Sequence, residues 1–210
     1  MKNPYDCTEC VVISGGEISP LDDVKPNQFV IACDKGMEYA LKYNITPDIF
    51  VGDFDSFHGI VPPETKIIKL PVKKDDTDTL YALKYALESG MKKISLRCAL
   101  GGRVDHLFAN LQCCNYVLHH NGEINIKSEN TEIFFIKDGS INLKKKDNFF
   151  VSVFSLTNEC SGVTIKGAEY CADNITITNT FPIGISNKWK ENSIDIRCES
   201  GTLMIMITKE

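Results

Sequence analysis

The chain has 210 residues, 43% of them hydrophobic and 24% charged, with a formal net charge of −5. This composition can fill the core of one large domain or two small ones, and it excludes a collagen-like, disordered or low-complexity chain. The acidic balance argues against non-specific nucleic-acid binding, which needs a basic face. An acidic protein can still bind polyphosphate when a divalent cation sits between carboxylate and phosphate. No apolar run reaches the roughly 18 residues of a membrane span, and the N-terminus lacks the basic-plus-apolar pattern of a leader. Nine cysteines, an odd number, predict a reduced, cytoplasmic protein. Cys7 and Cys10 have CxxC spacing but no second pair at zinc-ribbon distance, and read as ordinary thiols.

The first part of the chain alternates short apolar runs with helical patterns. Val11-Val12-Ile13 reads as a buried strand followed by Ser14-Gly15-Gly16, and Phe29 to Cys33 as a second. Asp34 stands where an N-cap belongs, ahead of Met37, Ala40 and Leu41, and Asn44 with Pro47 closes that helix. Asp48 to Val51 is a short extended run ending at Gly52-Asp53, and Lys66 to Leu70 is another, stopped by Pro71. From Thr77 to Ser89 a helix is predicted with Leu80, Leu83, Ala86 and Leu87 on one face and Gly90 after it. Lys93 to Ala99 is β-like. A longer helix then runs from Arg103 to His120, with Leu107, Leu111, Cys114 and Leu118 aligned and Gly122 as its stop. Strands alternating with helices of this length predict a mainly parallel sheet with crossover helices.

After Gly122 the helical patterns vanish. Short β-like runs recur at Glu132–Ile136, Phe149–Phe154, Gly162–Ile165, Ile194–Cys198 and Leu203–Ile207. Ile194, Ile196 and Cys198 alternate with Asp195 and Arg197, the pattern of one buried and one wet face. The expectation is an α/β domain over residues 1–122 and an antiparallel β-sandwich over 123–210.

Polar residues gather at the predicted strand ends of the first part, where open α/β sheets bind ligands. Asp53 and Asp55 are separated by one residue, so an extended segment would aim both carboxylates at one cation; the alternative is a loop of solvated or capping acids. Lys73-Lys74-Asp75-Asp76-Thr77-Asp78 adds acids before a helix, where Asp76 or Thr77 would also serve as a plain cap. Gly101-Gly102 allows close backbone approach, the next helix N-terminus favours anions, and Arg103 can grip phosphate oxygens. His106 reads as a core or capping histidine. Magnesium suits such a carboxylate set, since it takes a few carboxylates, waters and phosphate oxygens.

Together, Ala32-Cys33-Asp34-Lys35-Gly36, Pro47-Asp48, Gly52-Asp53-Phe54-Asp55-Ser56, Asp75-Asp76-Thr77-Asp78, Gly101-Gly102-Arg103-Val104-Asp105-His106 with Asn110, and the late Ser186-Asn187 resemble the thiamine pyrophosphokinase family. The resemblance implies transfer of pyrophosphate from ATP to thiamine, giving thiamine diphosphate and AMP. It implies Asp53, Asp55 and Asp78 as magnesium ligands, with Arg103 and Asp105 completing the catalytic set. It further implies nucleotide or phosphate contacts at Asp34, Gly36, Ser56, Asp75, Thr77 and Gly102, and a thiamine site at Ser186, Asn187 and Trp189, the last either stacking or core. A homodimer with its active site between subunits follows from the same resemblance. The chain departs from the family pattern at Lys35, where a small residue is usual, and at Lys74, often glutamine. Two rivals fit parts of the pattern. A phosphatase of the haloacid-dehalogenase type would use the DxD after an apolar strand, but not the Gly101–His106 segment. A non-catalytic thiamine- or nucleotide-binding module would leave the clustered acids unexplained.

Overall fold

A computed structural model describes residues 2–54, 57–71 and 75–210. The expectations placed on Asp55, Ser56, Lys73 and Lys74 lie outside the described residues. The chain divides into two compact units, Met1–Glu129 and Asn130–Glu210. The first is mainly parallel α/β and the second is antiparallel β.

In the first unit the strands are β1 (Glu9–Ile13), β2 (Phe29–Cys33), β3 (Ile49–Gly52), β4 (Lys66–Lys69), β5 (Lys93–Arg97) and β6 (Glu123–Lys127). The helices are α1 (Gly36–Lys42), α2 (Asp78–Glu88) and α3 (Val104–His119). The strands lie in the order β6-β5-β1-β2-β3-β4, all parallel. The parallel sheet therefore runs one strand past Gly122. β2 and β3 are buried along their whole length, as strands covered on both faces must be. Phe29, Phe50, Ile13 and Leu96 are among the fully buried side chains, each contributing about 1.5–3 kcal/mol of transfer free energy.

Both longer helices are turned relative to their leucine stripes. α2 buries Thr79, Ala82, Leu83 and Ala86, because the Thr79 hydroxyl bonds to that of Ser14 at 2.9 Å. α3 buries Asn110, Cys113, Cys114, Val117 and Leu118, because the Asn110 amide donates to the Ala99 carbonyl at 2.8 Å. A polar side chain taken into the interior must find its partner, and that requirement sets the rotation of the helix. α3 ends with Asn121 in the left-handed region at φ 58°, one residue ahead of the glycine expected to stop it. Asn44 closes α1 in the same way at φ 57°.

At the amino edge of this sheet Asp48, with only 5% of its side chain exposed, accepts the Val30 N–H, the Lys2 N–H and the Lys2 ammonium. Its part of the Pro47-Asp48 motif is structural. No helix among the described residues is long and apolar enough to cross a membrane.

In the second unit the strands are β7 (Thr131–Lys137), β8 (Ser140–Lys144), β9 (Phe149–Ser155), β10 (Glu159–Lys166), β11 (Ala172–Thr178), β12 (Gly184–Asn187), β13 (Ser193–Arg197) and β14 (Thr202–Lys209). They form two antiparallel layers, β12-β9-β14-β7 and β11-β10-β13-β8. Val151, Val153, Leu203, Ile205 and Ile207 of one layer share a core with Val163, Ile165, Ile194 and Ile196 of the other. This is sandwich packing.

An ion cluster holds the connection between β1 and β2. Asp23 accepts from the buried guanidinium of Arg97 and from the Lys127 ammonium. Partial burial works against the charged carboxyl, but the Lys127 hydrogen bond and the Arg97 charge outweigh it and hold Asp23 below its ordinary range. A carboxyl lowered by folding stabilises the native state above its unfolded pKa of about 4. That contribution is lost as pH falls through the lower folded value. Asp23→Asn should therefore lower Tm at neutral pH and flatten the fall of Tm in acid. Thermal melts by circular dichroism from pH 7 downward test this; parallel acid limbs in variant and parent would refute it.

Candidate active site

The order of the parallel strands creates the site. β1 leads to β2 on one side and lies beside β5 on the other, so the connections diverge between β1 and β5. At such a switch point the loops leave a crevice at the carboxyl ends of the strands. Ser14-Gly15-Gly16 leaves β1, Asp34 follows β2, Asp53 follows β3, and Gly101-Gly102-Arg103 follows β5.

Two contacts bring the start of α2 to the same edge. Thr79 meets Ser14 at the end of β1, and the Cys33 thiol, at the end of β2, donates to the Asp78 carbonyl at 3.6 Å. The half-buried Asp78 thus stands over the ends of β1 and β2. Thr77 is spent as the α2 N-cap, its hydroxyl accepting the Leu80 N–H at 3.1 Å. Asp76 forms an ion pair with Lys84 at 2.7 Å, while Asp75 is exposed.

Asp34 is not the N-cap of α1. Lys35 occupies that position without a side-chain cap bond, and Asp34 takes a left-handed conformation at φ 46°. Its N–H donates to the Val51 carbonyl at 3.0 Å, and its carboxylate lies against Gly52, where any Cβ would collide with it. Asp34 is therefore drawn to the end of β3, beside the residue preceding Asp53. Gly36 has a steric role too: a Cβ there would run into the Ile13 carbonyl, so glycine lets α1 start hard against β1.

Between Asp53 and Asp55, of which Asp55 lies outside the described residues, Phe54 is not extended. Phe54 is left-handed at φ 68°, and its ring packs edge-on against Phe50 at 4.6 Å between centroids. The partly buried ring thus goes with a turn of the chain at Phe54 itself.

At the start of α3, Arg103 and Asp105 form a two-pronged ion pair at 2.6 and 3.1 Å, and Asp105 also accepts the His106 N–H at 3.0 Å. The bond to Arg103 lowers the Asp105 carboxyl from its ordinary value, and Asp105 raises the guanidinium in return. Both side chains are exposed, so the pair itself stabilises little. It aims the guanidinium while leaving it open to an anion. His106 is exposed rather than in the core. Gly101 and Gly102 are both left-handed, at φ 74° and 69°. The Gly102 N–H donates to the Glu17 carboxylate at 3.3 Å. Glu17 was not legible as part of the site, since nothing in sequence links position 17 to position 102.

Among the described residues no three His, Cys, Asp or Glu side chains are grouped to hold an ion. Magnesium requires only one or two carboxylates, the rest of its shell coming from water and phosphate oxygens. Asp34, Asp53 and Asp78 offer oxygen donors of that kind.

In the second unit Ser186 is left-handed at φ 59°, and its N–H donates to the Ser152 hydroxyl at 3.0 Å. The Asn187 amide bridges the backbone of Tyr170, accepting its N–H at 3.0 Å and donating to its carbonyl at 2.7 Å. Tyr170 itself is 71% exposed. Trp189 is 8% exposed, lies in the shared core, and donates its indole N–H to the Leu143 carbonyl at 3.1 Å. Little of the indole face remains for a ligand to stack on. The accessible aromatic held by this segment is Tyr170, which the sequence reading passed over.

The family model of the thiamin pyrophosphokinase catalytic domain matches residues 23–126, and that of the thiamin pyrophosphokinase vitamin B1 binding domain matches residues 140–203. A thiamine pyrophosphokinase of Bacillus subtilis is 27% identical over 190 residues, covering 84% of this chain and 87% of the relative. Among solved structures, thiamine pyrophosphokinase from Bacillus subtilis superposes with a TM-score of 0.88 at 23% identity, over 96% of this chain and 99% of that one. A family protein from Enterococcus faecalis gives 0.82 at 26% identity, over 96% and 99%. The Candida albicans enzyme shares the fold at a TM-score of 0.77 and 16% identity, over 99% and 90%.

The crevice of carboxylates and glycine turns on a parallel sheet, joined to a β-sandwich, is thus the two-domain arrangement of one kinase family. The chain belongs to the thiamine pyrophosphokinase family, with its catalytic and vitamin B1-binding domains. Its activity is that of a thiamine pyrophosphokinase, and the family uses ATP.

Gly52→Ala tests the placement of Asp34. The new methyl meets a carboxylate whose backbone is tied to Val51, so the variant should lose about 1–3 kcal/mol of stability, as overpacking typically costs, together with turnover. Chemical denaturation paired with an AMP-release assay measures both; unchanged stability and activity would remove Asp34 from this position.

Proposed function

We propose that the first unit transfers pyrophosphate from ATP to the hydroxyethyl oxygen of thiamine, releasing AMP, with Asp53, Asp55 and Asp78 as magnesium ligands. The observation that carries this reading is the docking of α2 onto the ends of β1 and β2 through Thr79–Ser14 and Cys33–Asp78, which sets Asp78 at the same edge as Asp34 and Asp53. When bound, magnesium neutralises charge between the carboxylates and the phosphate oxygens. Arg103, held by Asp105, offsets charge that develops as AMP departs. The first turn of α3 adds backbone donors for phosphate. Asp34, Gly36, Ser56, Asp75 and Gly102 line the nucleotide side of this reading, and Thr77 acts through its cap on α2. Phosphoryl-type transfer needs mainly position and charge balance, both of which these groups supply.

The second unit is read as the thiamine-binding and dimerisation domain. Asn187 acts there by presenting Tyr170, and Ser186 by its constrained backbone. Homodimerisation is supported by large apolar side chains left exposed, among them Phe108 on α3 and Tyr170, Phe181 and Ile185 in the second unit. A cytoplasmic location is supported by nine cysteines that are all free thiols.

Asp78→Ala and Asp55→Ala should each abolish AMP formation while the circular-dichroism spectrum and Tm stay near those of the parent. Chelation with EDTA should stop the parent enzyme, and added magnesium should restore it. Near-parental AMP release in either variant would sink the metal assignment. Phosphate release without thiamine would instead favour a phosphatase.

A further inference from the structure

The connection between β1 and β2 joins two parallel neighbours without a helix of its own. It is held instead by a series of contacts to the end of β5. The Gly16 N–H donates to the Cys98 carbonyl at 2.8 Å and the Glu17 N–H to the Leu100 carbonyl at 2.9 Å. The Tyr39 hydroxyl donates to the Gly16 carbonyl at 2.8 Å. The Glu17 carboxylate accepts from Gly102 and packs so closely on Gly101 that a Cβ there would strike it. Further along, Ser19 meets the Cys98 thiol at 3.5 Å, Leu21 is buried, and Asp23 sits between Arg97 and Lys127. Two successive left-handed glycines impose little conformation of their own, so the turn at 101–102 takes its setting from what packs on it.

We propose that this connection is a positioning arm for the Gly101–Gly102 turn, anchored by Asp23 on Arg97 and Lys127 and acting through Glu17 on the Gly102 N–H. The inference rests on the reading that ATP phosphates lie at the start of α3. Glu17 is a positioning residue: by taking the Gly102 N–H it sets the turn that leads into Arg103 and the first turn of α3. The anchor is firm because Arg97 is 3% exposed and its guanidinium is paired with the Asp23 carboxylate. A buried guanidinium that lost its carboxylate would be left uncompensated.

Steady-state assays with ATP and thiamine varied separately test the arm. Glu17→Ala should raise the KM for ATP about 3- to 10-fold, the range of one hydrogen bond, with the KM for thiamine and Tm unchanged. Glu17→Gln keeps an acceptor oxygen for Gly102 and should recover most of the loss. Asp23→Asn should raise the KM for ATP and also lower Tm. Lys127→Met, which leaves the Arg97–Asp23 pair in place, should raise it less. An ATP KM that is unchanged or lowered in Glu17→Ala overturns the proposal, as does an equal rise for thiamine. If Arg103→Ala keeps the parental KM for ATP and the inactive Asp78→Ala binds ATP as tightly as the parent in equilibrium titration, the placement of the phosphates has failed. If those two lose ATP affinity while Glu17→Ala keeps the parental KM, the arm alone has failed.

Discussion

The pairing of β1 with β2 on one side and β5 on the other is the constraint from which the catalytic unit follows. It places the two connections on diverging paths and opens a crevice that hydrogen-bonded strands could not otherwise leave. Several groups at the crevice are then fixed by specific contacts. Ser14 receives Thr79, Cys33 receives Asp78, Gly52 makes room for Asp34, and Ala99 receives Asn110. These contacts also turn α2 and α3, so helix orientation and site geometry have the same cause.

The second unit solves a different problem. Its two sheets share one apolar core, and Trp189 is drawn into that core with its indole N–H satisfied. The segment that carries Ser186 and Asn187 spends its polar groups on backbone: Ser152 holds Ser186, and Asn187 closes a bridge to Tyr170. An asparagine read from sequence as a ligand contact thus has its amide engaged on the backbone of an exposed aromatic.

Much of the architecture was legible from periodicity. The buried runs at β1, β2 and β5, the two long helices, and the change to alternating strands after the last helix all declared themselves. β6, β8, β11 and β12 did not, because they are short or polar along most of their length. The site was legible as a set of motifs at strand ends. Its internal wiring was not. Phe54 leaves the strand path to bury its ring on Phe50, and Asp34 yields the cap of α1 to pack on Gly52. Both follow from contacts between residues that no local pattern joins.

Asp53 and Asp78 reach the carboxyl edge because strands and helices alternate with glycine and aspartate at their junctions, and that much is written in the order of residues. Local chemistry also narrowed the cap of α2 to Asp76 or Thr77 and determined that Asn44 would end a helix. Only the tertiary structure decided that Glu17 meets Gly102, that Asp23 joins Arg97 to Lys127, and that Trp189 is core while Tyr170 is exposed. Periodicity reports which side of an element faces inward, whereas partners 17 to 104 residues apart are chosen by the packing of the whole unit.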